Sequence, residues 1–158
     1  MTILMQIDGV EGEGRIAGHD GWFPLTSFRW GGRRAARTHT GGVLGKSAAY
    51  STPQLTDITL TRLADSSSSL LWDHMIKGNS TPIRFHWLRA GQGGEPTSYL
   101  EAQFDDALLI AIDVGSSSGG RPTETLVFTY RALEYRVVNV GNALSGPQDV
   151  VSFNLGTA

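Results

Sequence analysis

Arginines are the residues whose placement most suggests chemistry. Of the 13 basic residues, only Lys46 and Lys77 are lysines. Arg33, Arg34 and Arg37 cluster in the glycine-rich stretch Gly31–Ser47, with His39 beside them. A guanidinium offers a planar fork of donors that grips carboxylates at two points, where lysine offers a solvated point charge. A loop carrying three of them is suited to docking on an acidic protein surface, that of another copy of the chain. Nucleic acid is the weaker partner, because no aromatic residues are interleaved for base stacking. Arg29 is a second case. It lies between Phe28 and Trp30, so on a strand it points away from whatever core those two fill, toward a wall that could meet cargo.

Other chemistries fail on spacing. Gly45-Lys46-Ser47 resembles the end of a phosphate loop, but the required first glycine falls on Thr40. The residues after it reach Pro53 too soon to build the helix whose amides would hold phosphate. His19, His39, His74 and His86 show no compact metal-ligand spacing. They read as a turn residue, a loop residue, a helix-surface residue and a residue on a strand's polar face. Asp105 and Asp106 are adjacent, so on a strand they face opposite ways, and they read as a turn between two strands. Gly115-Ser116-Ser117-Ser118-Gly119 has the Gly-x-Ser-x-Gly spacing, but Gly120-Arg121-Pro122 follows where a nucleophile elbow needs a helix, so no such elbow is read. With no cysteine, disulfides, thiolate metal sites and a cysteine nucleophile are all excluded. The expectation is a protein without cofactor or metal, and not an enzyme.

The elements that must position these arginines are strands. Ile83, Phe85 and Trp87 alternate with Arg84 and His86, the pattern of a half-buried strand. Thr123 to Val138 alternates over so long a run that it must bend or divide at a corner. Further strands are expected at Ile3–Asp8, Trp22–Trp30, Gln54–Leu63, Ser98–Phe104, Ala107–Val114 and Val150–Leu155. The 20 glycines gather largely between them, as in a sandwich or barrel. One segment breaks the period: Asp65 to Ser69 offers N-cap side chains, Leu70, Leu71 and Met75 follow at helical spacing, and Gly78 can end the helix. The expected fold is mainly β, a compact antiparallel barrel with one helix at about 67–77 and an extended loop at about 31–47, in a single domain over 1–158.

The net charge of -2 gives no general footprint for nucleic acid or for an anionic membrane. No run approaches a spanning length, so no membrane insertion is expected. The start has neither a basic n-region nor a long apolar stretch, so the expectation is cytoplasmic folding and, if the protein leaves the cell, export without a Sec-type signal.

Gly12-Glu13-Gly14-Arg15, His19-Asp20-Gly21-Trp22-Phe23 and Leu25-Thr26-Ser27-Phe28-Arg29-Trp30-Gly31 resemble the opening of the haemolysin-coregulated protein (Hcp) family, the inner-tube proteins of type VI secretion. The strand at Ile58–Thr61, the single helix ending at Gly78 and the segment Thr123-Glu124 to Tyr135 are similar in order to the rest of that family. The resemblance implies a β-barrel with a packed helix, six copies in a ring, and rings stacked into a tube. It implies sheath, spike and baseplate proteins as partners and effector proteins as cargo. Within that frame Arg33, Arg34, Arg37 and His39 become the stacking-loop candidates, reaching carboxylates such as Asp105 or Asp106, and Arg29 the lumen candidate. A tail-tube protein of a related phage-like machine, or a cytoplasmic ligand-binding barrel, are the alternatives.

Overall fold

A computed structural model of the chain describes residues 1–34, 52–91, 93–138 and 149–154. Strand β1 (Thr2–Ile7) is followed by a small hairpin, β2 (Arg15–Ile16) and β3 (His19–Asp20). Then come β4 (Phe23–Leu25) and β5 (Ser27–Arg29), and β6 (Gly32–Arg33), which pairs with β7 (Gln54–Leu55). After β8 (Ile58–Leu63) the helix α1 (Ser68–Lys77) interrupts the strands. The chain continues through β9 (Thr81–Ala90), β10 (Pro96–Gly115), β11 (Thr123–Thr129), β12 (Ala132–Val137) and β13 (Asp149–Asn154).

The main sheet runs β4-β1-β9-β10-β11-β8-β5, with β12 and β13 carried beside the first half of β10. Its two ends are one piece of chain. Leu25 of β4 pairs with Ile3, Ser27 of β5 pairs with Thr61, and between them Thr26 donates its amide to the Thr61 carbonyl at 2.8 Å. The sheet therefore wraps round onto itself through the single bent segment Phe23–Arg29, giving the antiparallel barrel that the alternation implies.

β10 belongs to both halves of this belt. Its residues 96–107 pair with β9, 100–105 with β12, and 108–115 with β11. The register shifts between Phe104 and Ala107, where Asp106 takes a φ of 49°. Asp105-Asp106 is thus a bulge inside one continuous strand, not the turn between two strands that residue type suggests. An extra residue bends a strand without ending it, and Asp tolerates the left-handed region better than most side chains. The run Thr123–Val138 does divide, at Tyr130-Arg131, and the Arg131 amide donates to the Asp105 carbonyl at 3.1 Å. The two corners are fastened together.

Alternation builds the core. Ile58 and Leu60 of β8, Ile83, Phe85 and Trp87 of β9, Phe104 of β10, and Leu126 and Phe128 of β11 all turn inward and are buried. Phe28 meets Phe85 and Trp87 edge-on at 4.7 and 4.9 Å, and Phe104 meets Tyr130 at 4.8 Å. Each such side chain contributes about 1.5–3 kcal/mol on leaving water, and the barrel's interior is filled by them.

α1 keeps the expected length, though its start is built differently. Ser67 stands at the N-cap without a side-chain cap bond. Asp65 substitutes, its carboxylate accepting the Ser67 amide at 2.9 Å while its own amide donates to Ser68 Oγ at 3.0 Å. Gly78 closes the helix in the left-handed region at φ 66°, donating to the His74 and Met75 carbonyls. Leu71 and His74 are the buried residues of the helix. The helix-surface reading of His74 is therefore wrong: three residues after Leu71, it shares that residue's face.

Candidate functional site

Arg29 ends β5 and is exposed, while Phe28 and Trp30 on either side of it pack against the core. The outward placement read from alternation holds. From Trp30 the chain leaves the barrel along a stem formed by the β6–β7 ladder, in which Arg33 faces Gln54. Arg33 is exposed on this stem and Arg34 is exposed just beyond it. The first residues of the expected loop are thus paired backbone. Arg37 and His39 lie outside the described residues.

The stem is tied to the core by a short relay. Thr56 donates its amide to the Gly31 carbonyl at 2.8 Å, and its hydroxyl accepts the Gly31 amide at 2.9 Å. Tyr130 donates its hydroxyl to the Thr56 carbonyl at 2.9 Å and accepts Trp30 Nε1–H at 2.6 Å. Burial pushes the Tyr130 phenol above its ordinary range, opposed by the bond from Trp30. A buried hydroxyl with both partners in place is a rigid joint, so the stem leaves the barrel in one direction.

Two polar rows cross the outer face of β9, β10 and β12. In one, Arg84 donates to Gln6 Oε1 at 3.2 Å, Gln103 Oε1 at 3.3 Å and Asp8 Oδ1 at 3.1 Å. In the other, Glu101 lies 4.0 Å from His86 Nε2 and 3.6 Å from Arg136 Nη1. His86 Nδ1 meets His19 Nε2 at 2.8 Å, and the Trp22 ring lies edge-on to His19 and tilted against His86, at 4.7 and 4.5 Å. Burial holds His86 below its ordinary pKa, against the pull of the Glu101 carboxylate. Spacing along the chain gave no sign of this pair, since its members are far apart in sequence and share only a place in the folded wall.

A third polar cluster is internal. Arg62 is fully buried, with Nη1 donating to Glu124 Oε2 at 2.6 Å and Nη2 paired with Asp65 Oδ2 at 2.5 Å. Nη2 also reaches Ser67 Oγ at 3.1 Å, and the guanidinium carbon stands 5.3 Å from the centre of the Phe23 ring. Burial pushes the Asp65 carboxyl up, and its bonds from Arg62 and Ser67 override this and hold it below the usual carboxylate range. This cluster joins β8, β11 and the start of α1. Its signal was present in the sequence: Arg62 is in phase with Ile58 and Leu60, and Glu124 with Leu126 and Phe128. Each is a charge at an inward position, and the register sets the two directly opposite one another.

At the far side of the sheet β13 pairs only with β12, and among the described residues no strand takes its outer edge. An open edge of this kind is a template for another chain. Of the two carboxylates offered to the arginine loop, Asp105 already accepts Gln103 Nε2 at 3.0 Å within its own subunit, while Asp106 is exposed. Among the described residues no group of three or more His, Asp or Glu is arranged to hold a metal. No described helix is long and apolar enough to cross a membrane.

The family model described as "Type VI secretion system effector, Hcp" matches residues 4–137. The chain belongs to the Hcp family. Solved structures agree on the fold. A structure of a type six secretion system protein superposes with a TM-score of 0.86 at 18% identity, covering 99% of this chain and 96% of that one. Hcp1 from Salmonella typhimurium gives 0.77 at 19%, with 99% and 95% covered, and a type VI secretion system effector from Yersinia pestis gives 0.73 at 19%, with 96% and 98% covered. No curated protein matches by sequence. This Hcp chain is accordingly a type VI secretion tube or effector protein. The segment Ser27–Gly31 by which it resembles the family is the barrel-closing strand and the root of the stem. The Thr123-Glu124 segment supplies the buried partner of Arg62.

Proposed function

We propose that this Hcp chain is a ring-forming subunit of the type VI inner tube: six copies close a ring, rings stack, and effectors travel in the lumen. The observation that carries the reading is the family match over residues 4–137, together with a fold that covers whole Hcp chains almost end to end. The outer edge of β13, which no described strand takes, supports it, because a ring subunit satisfies such an edge with its neighbour, and head-to-tail contacts close when the rotation does. The filled interior of the barrel favours it over a ligand-binding barrel.

In this reading Arg33 and Arg34, at and just beyond the rigid stem, with Arg37 and His39 further along, dock on the next ring. Asp106 is the better-placed acidic partner, since Gln103 occupies Asp105. Arg29 faces the lumen and biases it toward acidic cargo. Rings assemble in the cytoplasm, engage sheath, spike and baseplate proteins, and are exported by the type VI route without a signal peptide.

The test is the native mass by light scattering, followed by electron microscopy. A mass near six times the 17.0 kDa subunit, with annular particles, is expected. The variant with Arg33, Arg34 and Arg37 all replaced by Ala should keep the subunit's circular dichroism and lose stacking. Intact stacking in that variant refutes the role of the loop, and a strictly monomeric protein at high concentration counts against the ring.

A further inference from the structure

The β2–β3 hairpin lies outside the barrel and helps cover a small apolar cluster separate from the main core. Leu4 of β1 and Leu88 of β9 belong to this cluster, Trp22 closes over them, and Ile16 packs alongside. Leu4 is 0% exposed, Leu88 2% and Trp22 7%. The segment is held to itself by main-chain bonds: Gly12 N–H to Gly21 O at 2.7 Å, Gly14 N–H to Trp22 O at 2.8 Å and Gly21 N–H to Gly14 O at 3.0 Å. A Cβ on Gly14 would stand 2.4 Å from the Trp22 carbonyl oxygen, so this approach needs glycine. Glu13 ties the base of the segment to Ser66, ahead of α1. The tip is tied to the barrel wall by His19 Nε2 and His86 Nδ1, 2.8 Å apart.

Two imidazole nitrogens at that separation hold one proton between them. A second proton sets N–H against N–H, and the contact fails. The outer nitrogens are engaged elsewhere: His86 Nε2 looks toward Glu101, and His19 Nδ1 lies 3.4 Å from the Ala17 carbonyl. The charged groups around His86 are Arg84 on its own strand, Glu101 on β10, Arg136 on β12 and His19 on β3, with Glu134 of β12 in the same cavity and paired to Arg136 at 3.1 Å. β1 presents the uncharged Leu4 opposite it, and Arg15 and Asp20 face each other across the hairpin. Glu101 alone favours a proton on His86 and is shared with Arg136. The two arginines, the second histidine and burial all oppose it.

We propose that the His19–His86 pair is an acid-released latch: holding one shared proton it keeps the hairpin closed over Leu4, Trp22 and Leu88, and uptake of a second proton lifts the hairpin and bares that apolar cluster. The device is local, because the barrel ladders do not pass through the hairpin.

Hydrogen exchange on the full chain tests it, at pH 8 and pH 5, with rates corrected for the chemical effect of pH. The amides of Gly12, Gly14, Gly21 and Trp22 should lose protection by about tenfold or more at pH 5, since each pH unit of coupling is a factor of ten in opening. Those of Phe85 and Phe104 should not. In His19→Gln and His86→Gln the amide can still bond across the gap but takes no proton, so the hairpin should stay protected at both pH values. Equal protection of the parent hairpin at both pH values overturns the proposal, as does an undiminished acid response in the glutamine variants. Open hairpins in both glutamine variants at pH 8 also overturn it, because the shape of the contact rather than its proton would then be what holds. His74→Leu should leave the acid response in place, and its disappearance there would assign the opening to α1 instead.

Discussion

Replacing Glu124 with Leu isolates the weight of the buried charge cluster. Arg62 is fully buried, and its shortest bond to a Glu124 oxygen is 2.6 Å. Removing one partner of a buried ion pair costs about 3–5 kcal/mol, because the other charge is left in a medium that cannot hydrate it. Here Asp65 remains at 2.5 Å and is 8% exposed at its side chain, so the guanidinium keeps one counter-charge and the lower end of that range applies, about 3 kcal/mol. A domain of this length loses about 2–4 °C in Tm per kcal/mol, which gives a fall of roughly 6–12 °C. With the usual margin of about 5–15 kcal/mol, the variant still folds. The assay is thermal and urea denaturation followed by far-UV circular dichroism, at a concentration where the native mass of parent and variant is the same, because assembly adds to apparent stability. The triple variant Asp65→Asn/Arg62→Met/Glu124→Leu should recover at least half of the loss, since no uncompensated buried charge then remains and the amide oxygen can still accept from Ser67. A Glu124→Leu protein melting within about 2 °C of the parent would refute the reasoning, and would mean that Asp65 alone suffices for Arg62.

His74 is buried with Nε2 lacking a partner among the described residues, and burial lowers its pKa from 6.5. The unfolded chain then takes up its proton first as the pH falls below 6.5, so stability is full above that value and drains away toward acid; His86 acts in the same direction. His74→Leu should raise the unfolding free energy from urea melts at pH 5.5 by about 1 kcal/mol more than at pH 8, and equal gains at the two pH values would contradict this. If Arg29 lines the lumen of the proposed ring, Arg29→Glu should weaken retention of an acidic effector by about tenfold in a pull-down at moderate salt, with native mass unchanged; unaltered retention refutes that placement.

The sequence carried most of the fold because period-two burial leaves a direct trace. The inward sets Ile58/Leu60, Ile83/Phe85/Trp87 and Leu126/Phe128 could all be read from alternation, as could the outward Arg29 and Arg84. Four things could not. The bulge at Asp106 looks like a turn because residue type reports the local backbone and not whether pairing resumes after it. His74 looks like surface because an imidazole on an apolar stripe carries no mark of what covers it. The His19–His86 contact depends on a hairpin folding over a strand, which no spacing along the chain encodes. The Thr56–Tyr130–Trp30 relay depends on the corner after β11 bringing Tyr130 beneath the stem. Arg62 and Glu124 are a different case: both stood in phase with core residues, and two opposite charges on inward positions of neighbouring strands are a legible pair.

The bent segment Phe23–Arg29 also has a mechanical consequence. An open sheet under tension peels from its free end, one hydrogen bond at a time. A sheet whose first and last strands are the same piece of chain has no such starting point along its main belt. Opening it means breaking into a ladder that is flanked on both sides, and Thr26, bonded to Thr61, is the joint between the β1 side and the β8 side. Toughness of this kind comes from connectivity rather than from added contacts, and it suits the tube subunit proposed above.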